Sequence, residues 1–173
     1  MKRLVLPLAA IALLTSAPAF AQPSPTPALD VIPEAMPFDV PYGQPISLER
    51  AQSVAAAAMA EAKKRNWKMN VTVVDPNGDL LAFGRMDGAQ LASIEISQHK
   101  ARVAARYRRI TKLFENGVQS GLTYQLTLDG MIASRGGIPL VEGGKIIGAI
   151  GVSGGAGSQD EVCATAGAAV INK

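Results

Sequence analysis

The stretch from Gly136 to Ala169, GGIPLVEGGKIIGAIGVSGGAGSQDEVCATAGAA, decides the fold. Two apolar runs, Ile138 to Val141 and Ile146 to Val152, flank Glu142-Gly143-Gly144-Lys145. A Gly-Gly pair at so short a reversal supplies the positive φ angles of I′ and II′ turns, so the runs read as a β-hairpin. The glycine loop Gly154-Gly155-Ala156-Gly157 then opens onto Ser158-Gln159-Asp160-Glu161, which has the spacing of a capping box headed by Ser158. Strand thus passes through bare backbone into helix, where a small ligand can reach main-chain donors.

Working outward, Met69 to Val74 and Leu80 to Arg85 form another hairpin about Asp75-Pro76-Asn77-Gly78. Ser47 is placed to cap a helix running to about Asn66, with alanines at 51, 55 to 58, 60 and 62. Ser93 is placed to cap a second helix to about Ile110. Thr111 to Leu122 reads as a loop with two glycines, Thr123 to Leu128 as a short helical turn, and Ser158 to Ile171 as the last helix. Strands joined by tight turns pair antiparallel. The fold class is therefore α/β of the α+β kind, with an antiparallel sheet of about five strands flanked by helices. A domain over residues 47–173 is long enough to bury a core.

Residues 1–21 read as a signal peptide. Lys2 and Arg3 form the basic start, Leu4 to Leu14 the apolar middle, and Ala19-Phe20-Ala21 the small-x-small cleavage site. The apolar run falls short of the roughly 20 residues a membrane span needs, and no second run follows. The expectation is an exported protein, periplasmic or extracellular, without stable membrane insertion. Residues 22–46 carry seven prolines. That density removes amide donors and enforces extended geometry, so this stretch is either a linker or an arm lying on a neighbouring subunit.

Without Lys2 and Arg3, basic side chains number 15 against 14 acidic ones, a net of +1. Such a balance argues against a polyanion binder, and eight aromatics are too few for a nucleic-acid stacking platform. Cys163 stands alone, which excludes an intramolecular disulfide and, with a single histidine, the usual Cys/His zinc sites. It is expected to act as a small buried hydrophobe. The glycine loop lacks the spacing of a phosphate loop or dinucleotide fingerprint.

Two segments carry a resemblance. Val71-Thr72-Val73-Val74-Asp75-Pro76-Asn77-Gly78-Asp79-Leu80-Leu81-Ala82-Phe83 and the run from Gly148 to Glu161 resemble the GlcG/HbpS family of haem-binding or haem-degrading domain proteins, over roughly residues 47 to 173. That resemblance implies a profilin-like α/β domain that self-associates as a homo-oligomer, and a tetrapyrrole ligand. Lys100 falls in a Lys-Ala pair typical of the family's helix; where the family commonly has threonine, this chain has Val103.

His99 is the only histidine. Ala92, Ile96, His99, Val103 and Ile110 recur at helical spacing, which puts His99 on the apolar stripe of the second helix. It reads either as a core or interface histidine or as a metal ligand to haem iron, with a general-base role as a third option. Glu95, Gln98, Arg102, Arg106 and Arg109 read as the opposite face, where Arg102 and Arg106 suit two propionates through forked donors. Gly154 and Gly155, at the positive end of a helix, suit a carboxylate, whereas Asp160 and Glu161 in the first turn would repel one. Those two acids could alternatively join a surface metal site. The function that follows is capture, buffering or delivery of haem by an exported protein. The alternatives are an enzyme of this fold degrading haem or acting on an organic acid, and a non-catalytic oligomeric sensor accessory.

Overall fold

The computed structural model describes residues 32–172, and the unit that begins at Met36 carries every element of regular structure. The signal peptide and residues 22–31 of the linker lie outside the described residues. In order, the elements are α1 (Leu48–Lys64), β1 (Asn70–Val74), β2 (Leu80–Arg85), α2 (Ser93–Arg106), α3 (Lys112–Gln119), a 3-10 turn (Thr123–Thr127), β3 (Gly137–Glu142), β4 (Lys145–Ser153) and α4 (Gly157–Ala168). The sheet has four strands rather than five, in the order β2-β1-β4-β3, with every pairing antiparallel.

Both hairpins form as their turn residues dictate. Gly143 and Gly144 take φ of 55° and 72°, the pair of positive angles a type I′ turn requires, and Glu142 faces Lys145 across it. At the other hairpin Gly78 takes φ of 91°, and the Asp75 carboxylate accepts from the Asp79 amide at 2.9 Å.

Ser47 caps α1 as expected, its Oγ accepting from the Arg50 amide at 3.4 Å. The helix ends at Lys64, and Asn66, with φ of 55°, closes a Schellman motif: Trp67 N–H donates to the Ala62 carbonyl and Asn66 N–H to that of Lys63. Four expectations need correction. Ser93 is a buried first-turn residue and caps nothing. The second helix stops at Arg106, because Arg108 takes φ of 55°. Residues 112–119 are helical despite Gly117, since Phe114 buries its ring and anchors the turn. Ser158 does not head a capping box; the cap is Ala156, whose N–H donates to the Gln159 side chain at 2.9 Å.

The sheet lies between two helical layers. Val71, Val73, Ile150 and Val152 on one face pack with Val54, Ala58, Ala62, Cys163 and Ala164 of α1 and α4. On the other face, Val74 and Ala149 meet Ala101, Ala104 and Ala105 of α2. Of the α1 alanines, Ala51, Ala55, Ala58 and Ala62 are buried within the chain. Before α1, the Gly43 amide donates to the Ile146 carbonyl, Ile146 N–H to that of Pro41, and Ile46 N–H to that of Ile147. Residues 41–46 are therefore laid along β4 of their own chain, beyond the end of β1.

Candidate functional site

The setting of α2 decides which side chains face outward. The buried residues of this helix are Ser93, Ser97, Lys100, Ala101, Val103, Ala104 and Ala105, while His99 is exposed. The apolar-stripe reading of His99 is thereby corrected: only Val103 of that stripe is buried. The reason is close packing. A Cβ on Gly151 would overlap the Ser97 carbonyl and the Ala101 amide, and one on Gly137 the Lys100 carbonyl. A helix seated this near to strand backbone can point only small or unusually placed side chains inward.

His99, Arg102 and Arg106 consequently share one outward face. At about 100° per residue the three fall within about 60° of arc, and seven residues at about 1.5 Å put His99 and Arg106 about 10 Å apart along the axis. Arg106 Nε donates to the Asn77 carbonyl at 2.8 Å, and Arg102 Nε to the Gly78 carbonyl at 3.4 Å. Each guanidinium is held by one edge against the β1–β2 turn, leaving its outer fork for a carboxylate. A cavity of about 560 Å³ adjoins Arg106, lined also by Tyr42, Gln44, Pro45, Pro76 and Asn77.

The rest of the basic cluster is spoken for. Arg109 lies 3.6 Å from the Phe38 ring centroid and 5.1 Å from that of Phe114, and burial pushes its pKa down. Arg108 reaches Asp39 and the Tyr42 ring, and Lys112 pairs with Glu161 at 3.1 Å. Tyr107, a possible oxygen donor, gives its hydroxyl proton to the Asp129 carbonyl at 2.8 Å.

Gly154 and Gly155 lie elsewhere. They follow Ser153, which pairs with Asn70 at the far end of β1, so about 15 Å of strand separates them from the turn that Arg102 and Arg106 hold. The Gly155 amide donates to Asp160 Oδ1 at 3.1 Å. An internal carboxylate thus already occupies the place expected for a ligand's. The five site residues divide into two groups and cannot be one pocket.

Asp160 is the residue whose role the sequence hid. Its Oδ2 accepts from Lys100 Nζ at 2.7 Å, and the two side chains are 3% and 1% exposed. Lys100 also donates to the Val152 carbonyl at 3.3 Å. Burial pushes the Asp160 carboxyl up, against the downward pull of Lys100 and of the Gly155 and Gly154 amides. Neither helix capping nor a surface metal site describes it. The available signal was Lys100 itself, which falls in helical step with Ser93, Ser97 and Ala104 on a small-residue face; a buried ammonium requires an acid. Glu161 stays at the surface and pairs with Arg135 at 3.5 Å as well as with Lys112. Among the described residues no three His, Cys, Asp or Glu side chains gather as a metal cluster, and no helix is long and apolar enough to cross a membrane.

An antiparallel four-stranded sheet between helical layers, with an exposed histidine and two tethered arginines on one helix, defines a small α/β domain. The chain belongs to the HbpS-like family: the profile described as "Haem degrading protein HbpS-like" matches residues 46–169. Protein GlcG of Escherichia coli (strain K12) is 44% identical over 108 residues, 62% of this chain and 81% of that protein. The crystal structure of HbpS aligns with a TM-score of 0.70 at 32% identity, covering 80% of this chain and 99% of that one. The crystal structure of a PduOC:heme complex aligns at 0.67 and 29% identity, over 74% and 96% of the two chains.

Proposed function

We propose that this protein binds haem or a related tetrapyrrole on the outward face of α2, for capture, buffering or delivery. The observation that carries the reading is the shared outward face of His99, Arg102 and Arg106, with His99 and Arg106 exposed and Arg102 half-buried. An accessible imidazole can donate to iron, and two tethered guanidiniums can each take a propionate through paired N–H bonds. The residues present therefore fit the group. A relative crystallised with haem supports the same ligand class.

Export into the periplasm or medium fits this role and rests on the first 21 residues. Self-association also fits: Leu91, Leu113, Tyr124 and Leu126 are exposed apolar side chains around α2 and α3 that a second copy would cover. The description of the family as haem-degrading favours one second reading, breakdown of the bound tetrapyrrole. An organic-acid site at Gly154 and Gly155 is disfavoured by the Asp160 carboxylate on the Gly155 amide.

Haem titration of the mature chain tests the proposal. Saturable growth of a Soret band with a defined stoichiometry is expected, and bound haem whose absorbance then decays with reductant and oxygen would select breakdown. No saturable change would end the binding reading.

A further inference from the structure

We propose that the buried Lys100–Asp160 pair is a positioning device that sets the rotation of α2 on the sheet, and with it the outward presentation of His99, Arg102 and Arg106. The inference rests on the haem-binding reading of that face. Its starting point is how smooth the contact is. Ala101, Ala104 and Ala105 are fully buried against Val74 and Ala149, over the bare backbone of Gly137 and Gly151. The tight seat keeps large side chains out, but methyl groups on glycine offer no knobs of distinct shape, so apolar packing alone holds the exact rotation and slide of the helix within that seat only loosely.

Directional groups supply what packing lacks. The Ser97 hydroxyl gives its proton to the Ile94 carbonyl at 2.9 Å, so the 2.8 Å contact with Thr72 has Thr72 as donor. That bond ties α2 to β1. Lys100 reaches further, donating to the Val152 carbonyl of β4 and, in the other helical layer, to Asp160 of α4. Gly136, at φ of 114°, makes room for this crossing: a Cβ there would stand 2.9 Å from Asp160 Cβ and 3.4 Å from Lys100 Nζ. Asp160 is fixed in turn by the Gly155 amide. Rotating α2 by one residue, about 100°, would withdraw Lys100 from its acid and leave two buried charges unpaired. Buried ion pairs add little net stability over apolar replacements, and specifying register is their best-attested use.

The test is the double variant Lys100→Met/Asp160→Asn, which removes both charges together and keeps an acceptor for the Gly155 amide. Backbone hydrogen exchange of the ligand-free chain is read residue by residue beside haem affinity. The expected result is a melting temperature close to that of the parent, at least tenfold faster exchange confined to α2, and at least tenfold weaker haem binding with an altered Soret position. Faster exchange in α2 when the parent itself binds no haem would keep the positioning role and remove the haem reading. Unchanged exchange in α2 together with unchanged affinity would overturn the proposal. If the double variant does not fold, Thr72→Val/Ser97→Ala, which removes the second directional contact, is expected to raise α2 exchange as well; unaltered α2 exchange there overturns the proposal equally.

Discussion

Arg106 Nε donates to the carbonyl of Asn77, at 2.8 Å, and so joins the last turn of α2 to the tip of the first hairpin. One guanidinium thus serves two ends. Its inner edge braces a turn, and its outer edge is the one the proposed haem site would use. Arg102 repeats the arrangement one turn earlier at Gly78.

Arg102→Ala and Arg106→Ala should each weaken haem binding by less than the loss of His99. A charge contact at a half-exposed surface is screened by salt, so the parent's advantage over either variant should shrink as ionic strength rises. Each variant should also lose about 1 kcal/mol of stability with its turn contact. Titrations at low and high salt, with a urea melt of each ligand-free variant, measure both effects.

Gly151→Ala should be severe and Gly144→Ala mild, although only Gly144 has a positive φ. A methyl at Gly151 would overlap two backbone atoms of α2, which cannot yield without lifting the helix, so a loss of about 3 kcal/mol or more is expected. Gly144 has open space around it, and its φ of 72° costs an alanine only about 1–2 kcal/mol. Denaturant midpoints of the two variants should rank in that order.

These glycines mark what was legible in the sequence. The turns could be read because Gly-Gly and Asn-Gly have few conformational uses between apolar runs. The setting of α2 could not, because stripe counting weighs Ile96 and Ile110 as inward, whereas the tight seat over Gly137 and Gly151 admits serine, alanine and one lysine. The Lys100–Asp160 pair joins residues 60 apart: the small-residue face around Lys100 signals a buried charge, but no local pattern says which acid meets it. Residues 112–119 read as loop because Gly117 lowers helix propensity, and burial of Phe114 overrode it. Proline density concealed that residues 41–46 still place the Gly43 and Ile46 amides on β4.

Cys163 should be inert in the folded protein. The thiol is fully buried, and desolvation pushes its pKa up to about 11 from the ordinary 9.0. Disulfide reagents at pH 8 should label it only in denaturant. The folded state holds this proton more tightly than the unfolded one, so stability should fall as pH rises through the window from 9 to 11, by about 3 kcal/mol in all. A Cys163→Ala chain should show a flatter profile there, and rapid labelling of the native protein would contradict the burial.

Export should leave a shortened chain. Cleavage after Ala19-Phe20-Ala21 predicts that the exported product lacks 21 residues and begins at Gln22. Intact-mass analysis reads this directly, and a full-length, membrane-retained product would contradict it. Light scattering of the same material at tens of micromolar, on the order of usual assay concentrations, should report a homo-oligomer; monomer alone would remove self-association.

The most direct measurement is haem titration of the mature parent beside His99→Ala, each with a thermal melt of the ligand-free protein. His99 is exposed and the only imidazole of the chain, so its loss should leave the melt unchanged. Affinity should fall at least tenfold, about 1.4 kcal/mol, and the Soret maximum should shift. An intact His99→Ala protein that binds haem with the parent's affinity and spectrum would contradict the assignment of this face as the haem site.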